Sequence, residues 1–155
     1  MIRSVLHIEA PRDHVFAVLA DYQRYKEWFP GCEQSAVVSR ADGRVDAEFV
    51  LNLVKKVRIG MRFEAQPTRT LRFHMIAGKD LRSYSGSYRL VDSAHGRGTI
   101  VIAEMWIDIG IFVPQFIIEH VAKKSMNETF LSLRRYISRQ AAARIPDSPA
   151  APQRA

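Results

Sequence analysis

Between Cys32 and Asp108 hydrophobic and polar residues alternate with period two, in runs broken at Ala41-Asp42-Gly43, Gln66-Pro67-Thr68, Gly78-Lys79-Asp80 and His95-Gly96-Arg97-Gly98. Alternation punctuated by turn-favouring residues predicts an antiparallel meander with one apolar face. Ala47, Phe49, Leu51 and Leu53 share one face of their strand, with Asp46, Glu48 and Asn52 on the other. The next strand sets Val57, Ile59, Met61 and Phe63 against Arg58 and Arg62, and the one after it sets Leu71, Phe73 and Met75 against Arg72 and His74. A sheet face of this kind has to be covered.

The cover is the last long element, predicted from about Val113 to Ala143, with Pro114 near its start where a helix accepts proline. At about 100° per residue, Ile118, Ala122, Met126, Phe130, Leu133 and Ile137 fall on one arc, and His120, Lys124, Asn127, Arg134 and Ser138 lie opposite. Ahead of the meander, Ser4 to Ala10 reads as an edge strand ending at Pro11. A helix follows over Pro11 to Ala20, with Asp13 in its first turn, and then a second short helix over Asp21 to Trp28, stopped by Phe29-Pro30-Gly31. The fold class is α+β: strand, two short helices, six strands and a long helix.

At 155 residues the chain is long enough for one domain with a true core, assigned to residues 1–143, with a proline- and alanine-rich disordered tail over 144–155. The formal charge of +7 favours anionic surfaces. The single cysteine, Cys32, excludes an internal disulfide and reads as a small buried hydrophobe. No signal-peptide pattern opens the chain, and the most apolar stretch, Met105 to Ile118, carries Asp108 and Pro114 and is shorter than a spanning helix. The expected compartment is the cytoplasm, with a peripheral membrane association open. The five histidines are scattered without metal-binding spacing, and no nucleophile elbow, phosphate loop or dinucleotide glycine run occurs. Neither a metal nor another cofactor is expected.

Ile8-Glu9-Ala10-Pro11 followed by Val15 to Asp21, then Tyr25-Lys26-Glu27-Trp28-Phe29-Pro30-Gly31-Cys32, then Gly86 with Tyr88, and Met126-Asn127-Glu128-Thr129-Phe130, together resemble the START-like superfamily. This superfamily includes polyketide cyclases, plant allergens and coenzyme Q-binding proteins, and the local sequence is most similar to the coenzyme Q-binding and ribosome-association-toxin branch. The resemblance implies a helix-grip fold, a curved antiparallel sheet wrapped around the long C-terminal helix with a cavity between them. It also implies a hydrophobic small-molecule ligand, such as a quinone, isoprenoid or polyketide. The first reading of function is binding or carriage of that ligand. A polyketide cyclase, aromatase or dehydratase is the alternative, and a ribosome-associated regulator the third.

The expected walls are Phe49, Phe63, Phe73, Tyr84, Tyr88, Trp106, Ile118, Ala122 and Met126, around a cavity of about 300 Å³ or more. Tyr84 and Tyr88 share a face with Gly86 between them, which leaves room for an aromatic headgroup beside two phenols, or else they are ordinary core tyrosines. Arg82 either binds a ligand oxygen or stays on the surface. Trp28-Phe29 either lines a mouth or plugs the short helices onto the sheet. In the family register Ile100, Ile102, Glu104 and Trp106 point inward, and Glu119 falls within the apolar arc of the last helix. Either glutamate, if enclosed, would hold a raised pKa and act as an acid or a polar anchor beside the candidate phenols Tyr84 and Tyr88; otherwise both stay in solvent. Lys123, Lys124, Arg134, Arg135 and Arg139 give the last helix a basic outer side that solvates it or meets an anionic membrane or ribosomal RNA. The residues leave the oligomeric state open.

Overall fold

A computed structural model of the chain describes residues 1–52, 56–94, 96–110 and 113–144. Its elements are β1 (Ile2–Ile8), α1 (Arg12–Leu19), a 3₁₀ helix (Tyr22–Glu27), β2 (Cys32–Ala41), β3 (Arg44–Asn52), β4 (Lys56–Gln66), β5 (Thr70–Ala77), β6 (Ser83–Asp92), β7 (Thr99–Asp108) and α2 (Gln115–Arg144). The strands form one antiparallel sheet in the order β1-β7-β6-β5-β4-β3-β2. This is the curved sheet and long C-terminal helix of the helix-grip α+β fold.

Local chemistry sets the elements. Pro11 stands just before α1, and its carbonyl accepts from the His14 and Val15 amides. The hairpin between β2 and β3 turns on Asp42 and Gly43, both with positive φ, the paired left-handed conformation that a two-residue hairpin demands. On the outer face, Arg62 donates from Nε and a terminal nitrogen to both carboxylate oxygens of its cross-strand partner Asp46, at 2.8 and 2.9 Å. That fork fixes the β3/β4 register, and its hydrogen bonds hold the Asp46 carboxyl below its usual pKa.

The long helix begins at Gln115, two residues later than expected, because the Pro114 carbonyl caps the first turn by accepting from Ile117 and Ile118. It extends to Arg144, so the first residue assigned to the tail is helical; the rest of the tail, like Leu53 and His95, lies outside the described residues. Ala122, Met126, Phe130, Leu133 and Ile137 are buried, as the arc requires. Two of its basic residues reach the edge strand: Lys123 donates to the Arg3 carbonyl and Arg134 to the His7 carbonyl at 2.7 Å.

Candidate functional site

The inner face of the sheet presents one aromatic residue after another. Phe49 (β3), Phe63 (β4) and Phe73 (β5) follow at ring separations of 6.0 and 6.1 Å, and Tyr84 and Tyr88 (β6) each lie 5.6 Å from Phe73. They meet because their positions share one parity: Phe63 pairs with Phe73, Phe73 with Gly86, and Leu71 with Tyr88. Gly86 is the gap into which Phe73 leans, since a Cβ there would stand 2.6 Å from the Phe73 ring. Above the sheet, Tyr25 of the 3₁₀ helix lies 5.6 Å from Phe49 and stacks on Phe29 at 5.9 Å.

These groups enclose two adjoining hollows. One lies among Tyr25, Phe29, Phe49, Phe63, Tyr84 and Tyr88. The other extends beneath α2 to Ser125, Met126, Thr129 and Phe130. Phe29, Phe73, Tyr84 and Tyr88 border both. Each has a volume of about 40 Å³, so the expected cavity of about 300 Å³ is not standing open. The same aromatic rings that would contact a ligand fill the space in its place.

Polar chemistry inside is sparse. The Tyr25 hydroxyl donates to the Leu19 carbonyl at 2.6 Å. Among the described residues the hydroxyls of Tyr84 and Tyr88 have no protein hydrogen-bond partner. Burial pushes Tyr84 up to about 12, and raises Tyr25 and Tyr88 above the ordinary phenol value as well. Tyr84 and Tyr88 are therefore neutral donors at physiological pH. A raised folded-state pKa means that stability is fully present below the unfolded value of 10.0 and declines as pH climbs from there towards about 12. Circular dichroism at rising pH should show denaturant resistance falling from about pH 10 upward, and Tyr84→Phe should lessen that fall, with Tyr25 and Tyr88 carrying the remainder.

Several expected positions lie elsewhere. β7 faces the interior with Val101, Ala103, Met105 and Ile107, not with Ile100, Ile102, Glu104 and Trp106. Glu104 pairs across the strands with outward-facing Arg3, and their side chains approach to 3.7 Å. Trp106 is 48% exposed. Glu119 is also in solvent, hydrogen-bonded to Gln115 at 3.4 Å. Arg82 pairs with Asp108 at 3.6 Å on the surface. Ala122 is buried and Ile118 half-buried, but neither borders a hollow. Phe49, Phe63, Phe73, Tyr84, Tyr88 and Met126 do, and Glu104 also borders the second hollow although its carboxylate approaches Arg3.

The Trp28-Phe29 pair divides its work. Trp28 is buried as the plug, with its carbonyl accepting from Ser132 of α2, while Phe29 is half-buried and lines both hollows. Tyr25 also belongs to the site, although its sequence context marked it only as a signature position. Cys32 is buried and its thiol is pushed up to about 11 by desolvation, which leaves it protonated and inert. Among the described residues no group of three or more His, Cys, Asp or Glu side chains could hold a metal ion.

This architecture recurs in solved structures. A START superfamily protein from Mycobacterium smegmatis superposes with a TM-score of 0.81 at 10% identity, over 90% of this chain and 97% of that one. An aromatase/cyclase from Streptomyces sp. R1128 gives 0.75 at 16% identity, over 90% and 94%. A STAR-related lipid transfer protein from Xanthomonas axonopodis gives 0.72 at 18% identity, over 88% and 84%. No curated protein matches the chain in sequence. Residues 8–131, most of the chain, match the family described as polyketide cyclase / dehydrase and lipid transport. With the family match and the fold in agreement, this chain belongs to the polyketide cyclase / dehydrase and lipid transport family.

Proposed function

We propose that this protein binds and carries a lipophilic molecule with a flat, oxygen-bearing ring, of the quinone or aromatic polyketide class, between the sheet and α2. The observation that supports this most is the pair of half-buried phenols, Tyr84 and Tyr88, whose hydroxyls have no protein hydrogen-bond partner among the described residues, in an otherwise apolar aromatic wall. Neutral donors with no protein acceptor suit the carbonyl oxygens of such a ring, and the surrounding phenylalanines suit its faces. Glu104 borders the second hollow but its carboxylate approaches Arg3 at 3.7 Å, and Glu119 is exposed, so a cyclase reading would have to move protons mainly with the phenols. That weighs against an enzyme and for a carrier.

Uptake requires the two hollows to become one. The rings shared between them, Phe29, Phe73, Tyr84 and Tyr88, are the partition, and their rotation makes the larger space. Ser125 tests this directly: it borders the second hollow from α2 yet is solvent-exposed, so a larger side chain there occludes without displacing core. Ser125→Phe should weaken binding of a short-chain ubiquinone analogue about tenfold or more at unchanged melting temperature. Native mass spectrometry of the purified protein, followed by organic extraction, should reveal a retained lipophile. Undiminished binding by Ser125→Phe, or no binding by folded wild type, overturns the proposal.

A further inference from the structure

Outside the hollows, α2 carries a second apolar surface that the fold does not use. Phe116 is 73% exposed and Val121 60%, and Ile117 and Leu131 are exposed with them. At about 100° per residue Ile117, Val121 and Leu131 fall on the side of the helix opposite its buried arc, with Phe116 on the adjoining flank. Exposed Lys124, Arg135 and Arg139 share that side, with Glu128 as an acid among them. Over its whole length α2 has six Lys and Arg against two Glu, a net +4 of the chain's +7. Exposed Trp106 and Met1 border a separate surface hollow at Gln115, the start of α2.

From this we infer that the outer face of α2, centred on Phe116, Ile117 and Val121, docks onto a bilayer surface carrying anionic lipid. Large apolar side chains interleaved with cations match the two layers of such a surface, the acyl boundary and the headgroup charge. Phosphate alone, as in RNA, gives no reason to expose Phe116, Ile117, Val121 and Leu131. A second copy of this chain would set like charges against each other. No helix among the described residues is long and apolar enough to cross a membrane, so α2 lies along the surface. The inference stands on the outer surface and does not depend on what fills the hollows.

Co-sedimentation with phosphatidylcholine vesicles, with and without phosphatidylglycerol, tests it. Wild type should partition onto the phosphatidylglycerol vesicles and much less onto phosphatidylcholine alone. Phe116→Ser with Val121→Ser should lower that partition about tenfold or more, with melting temperature and quinone-analogue binding unchanged. Lys124→Glu with Arg135→Glu should abolish the preference for phosphatidylglycerol. Equal binding to both vesicles, binding undiminished by the Phe116 and Val121 changes, or preferential binding to RNA that ignores those changes would each overturn it. Self-association of wild type that these changes abolish, without vesicle binding, would overturn it in favour of a dimer surface.

Discussion

Phe130→Ala should cost about 3 to 5 kcal/mol of folding stability, measured by denaturant titration. Phe130 is 4% exposed on the buried arc of α2 and borders the hollow beneath that helix. Truncation loses the transfer free energy of the ring and leaves new empty volume. Because a hollow of about 40 Å³ already adjoins the site, the void enlarges an existing gap that its neighbours have not closed. Leu131→Ala, at the next position but on the exposed face, should change stability by less than about 0.5 kcal/mol. A loss below about 1 kcal/mol for Phe130 would mean that α2 meets the sheet with another face.

Gly86→Ala should be comparably severe for the opposite reason. A methyl group there would stand 2.5 Å from the Glu104 carbonyl oxygen and 2.6 Å from the Phe73 ring. The ring can swing away, but the carbonyl belongs to the neighbouring strand β7 and moves only with the ladder. The expected loss is about 2 to 3 kcal/mol, with quinone-analogue binding weakened in whatever fraction stays folded, since Phe73 is pushed into the hollow it borders. Unchanged stability in thermal melts would show that β6 and β7 separate more easily than their register implies.

Most of the fold was legible because most elements carry one polar and one apolar face. Arg58 and Arg62 opposite Ile59 and Phe63 leave a single choice of inward side for β4, and the charged side of α2 fixes its rotation in the same way. β7 offered no such contrast. Ile100, Ile102 and Trp106 outside and Val101, Ala103 and Met105 inside are apolar alike, so alternation could not choose a face, and the family register turned Glu104 and Trp106 the wrong way. Their neighbours decide the matter, since Glu104 pairs with Arg3 across to β1. Cavity volume was illegible for a different reason. Period two names the side chains that point inward, whereas only their rotamers determine whether Phe49, Phe63, Phe73, Tyr84 and Tyr88 leave space or occupy it. The separation of Trp28 from Phe29 depends on the turn that follows the 3₁₀ helix, which no periodicity describes.

The strand order has a consequence for how the molecule is made. β1 pairs with β7, Ile2 opposite Met105 and Ile8 opposite Thr99, and α2 then reaches back to the same strand through Arg134. During synthesis the hairpins from β2 to β6 can zip in turn as they leave the ribosome, but the first strand has no partner until the last one emerges. Loop closure over that much chain is slow, and the aromatic face stands uncovered until α2 follows. Newly made chains should therefore depend on rapid completion or on a chaperone for the interval between β6 and α2. A ribosome stalled after β7 should hold a nearly complete sheet that is markedly more prone to aggregate than the finished protein.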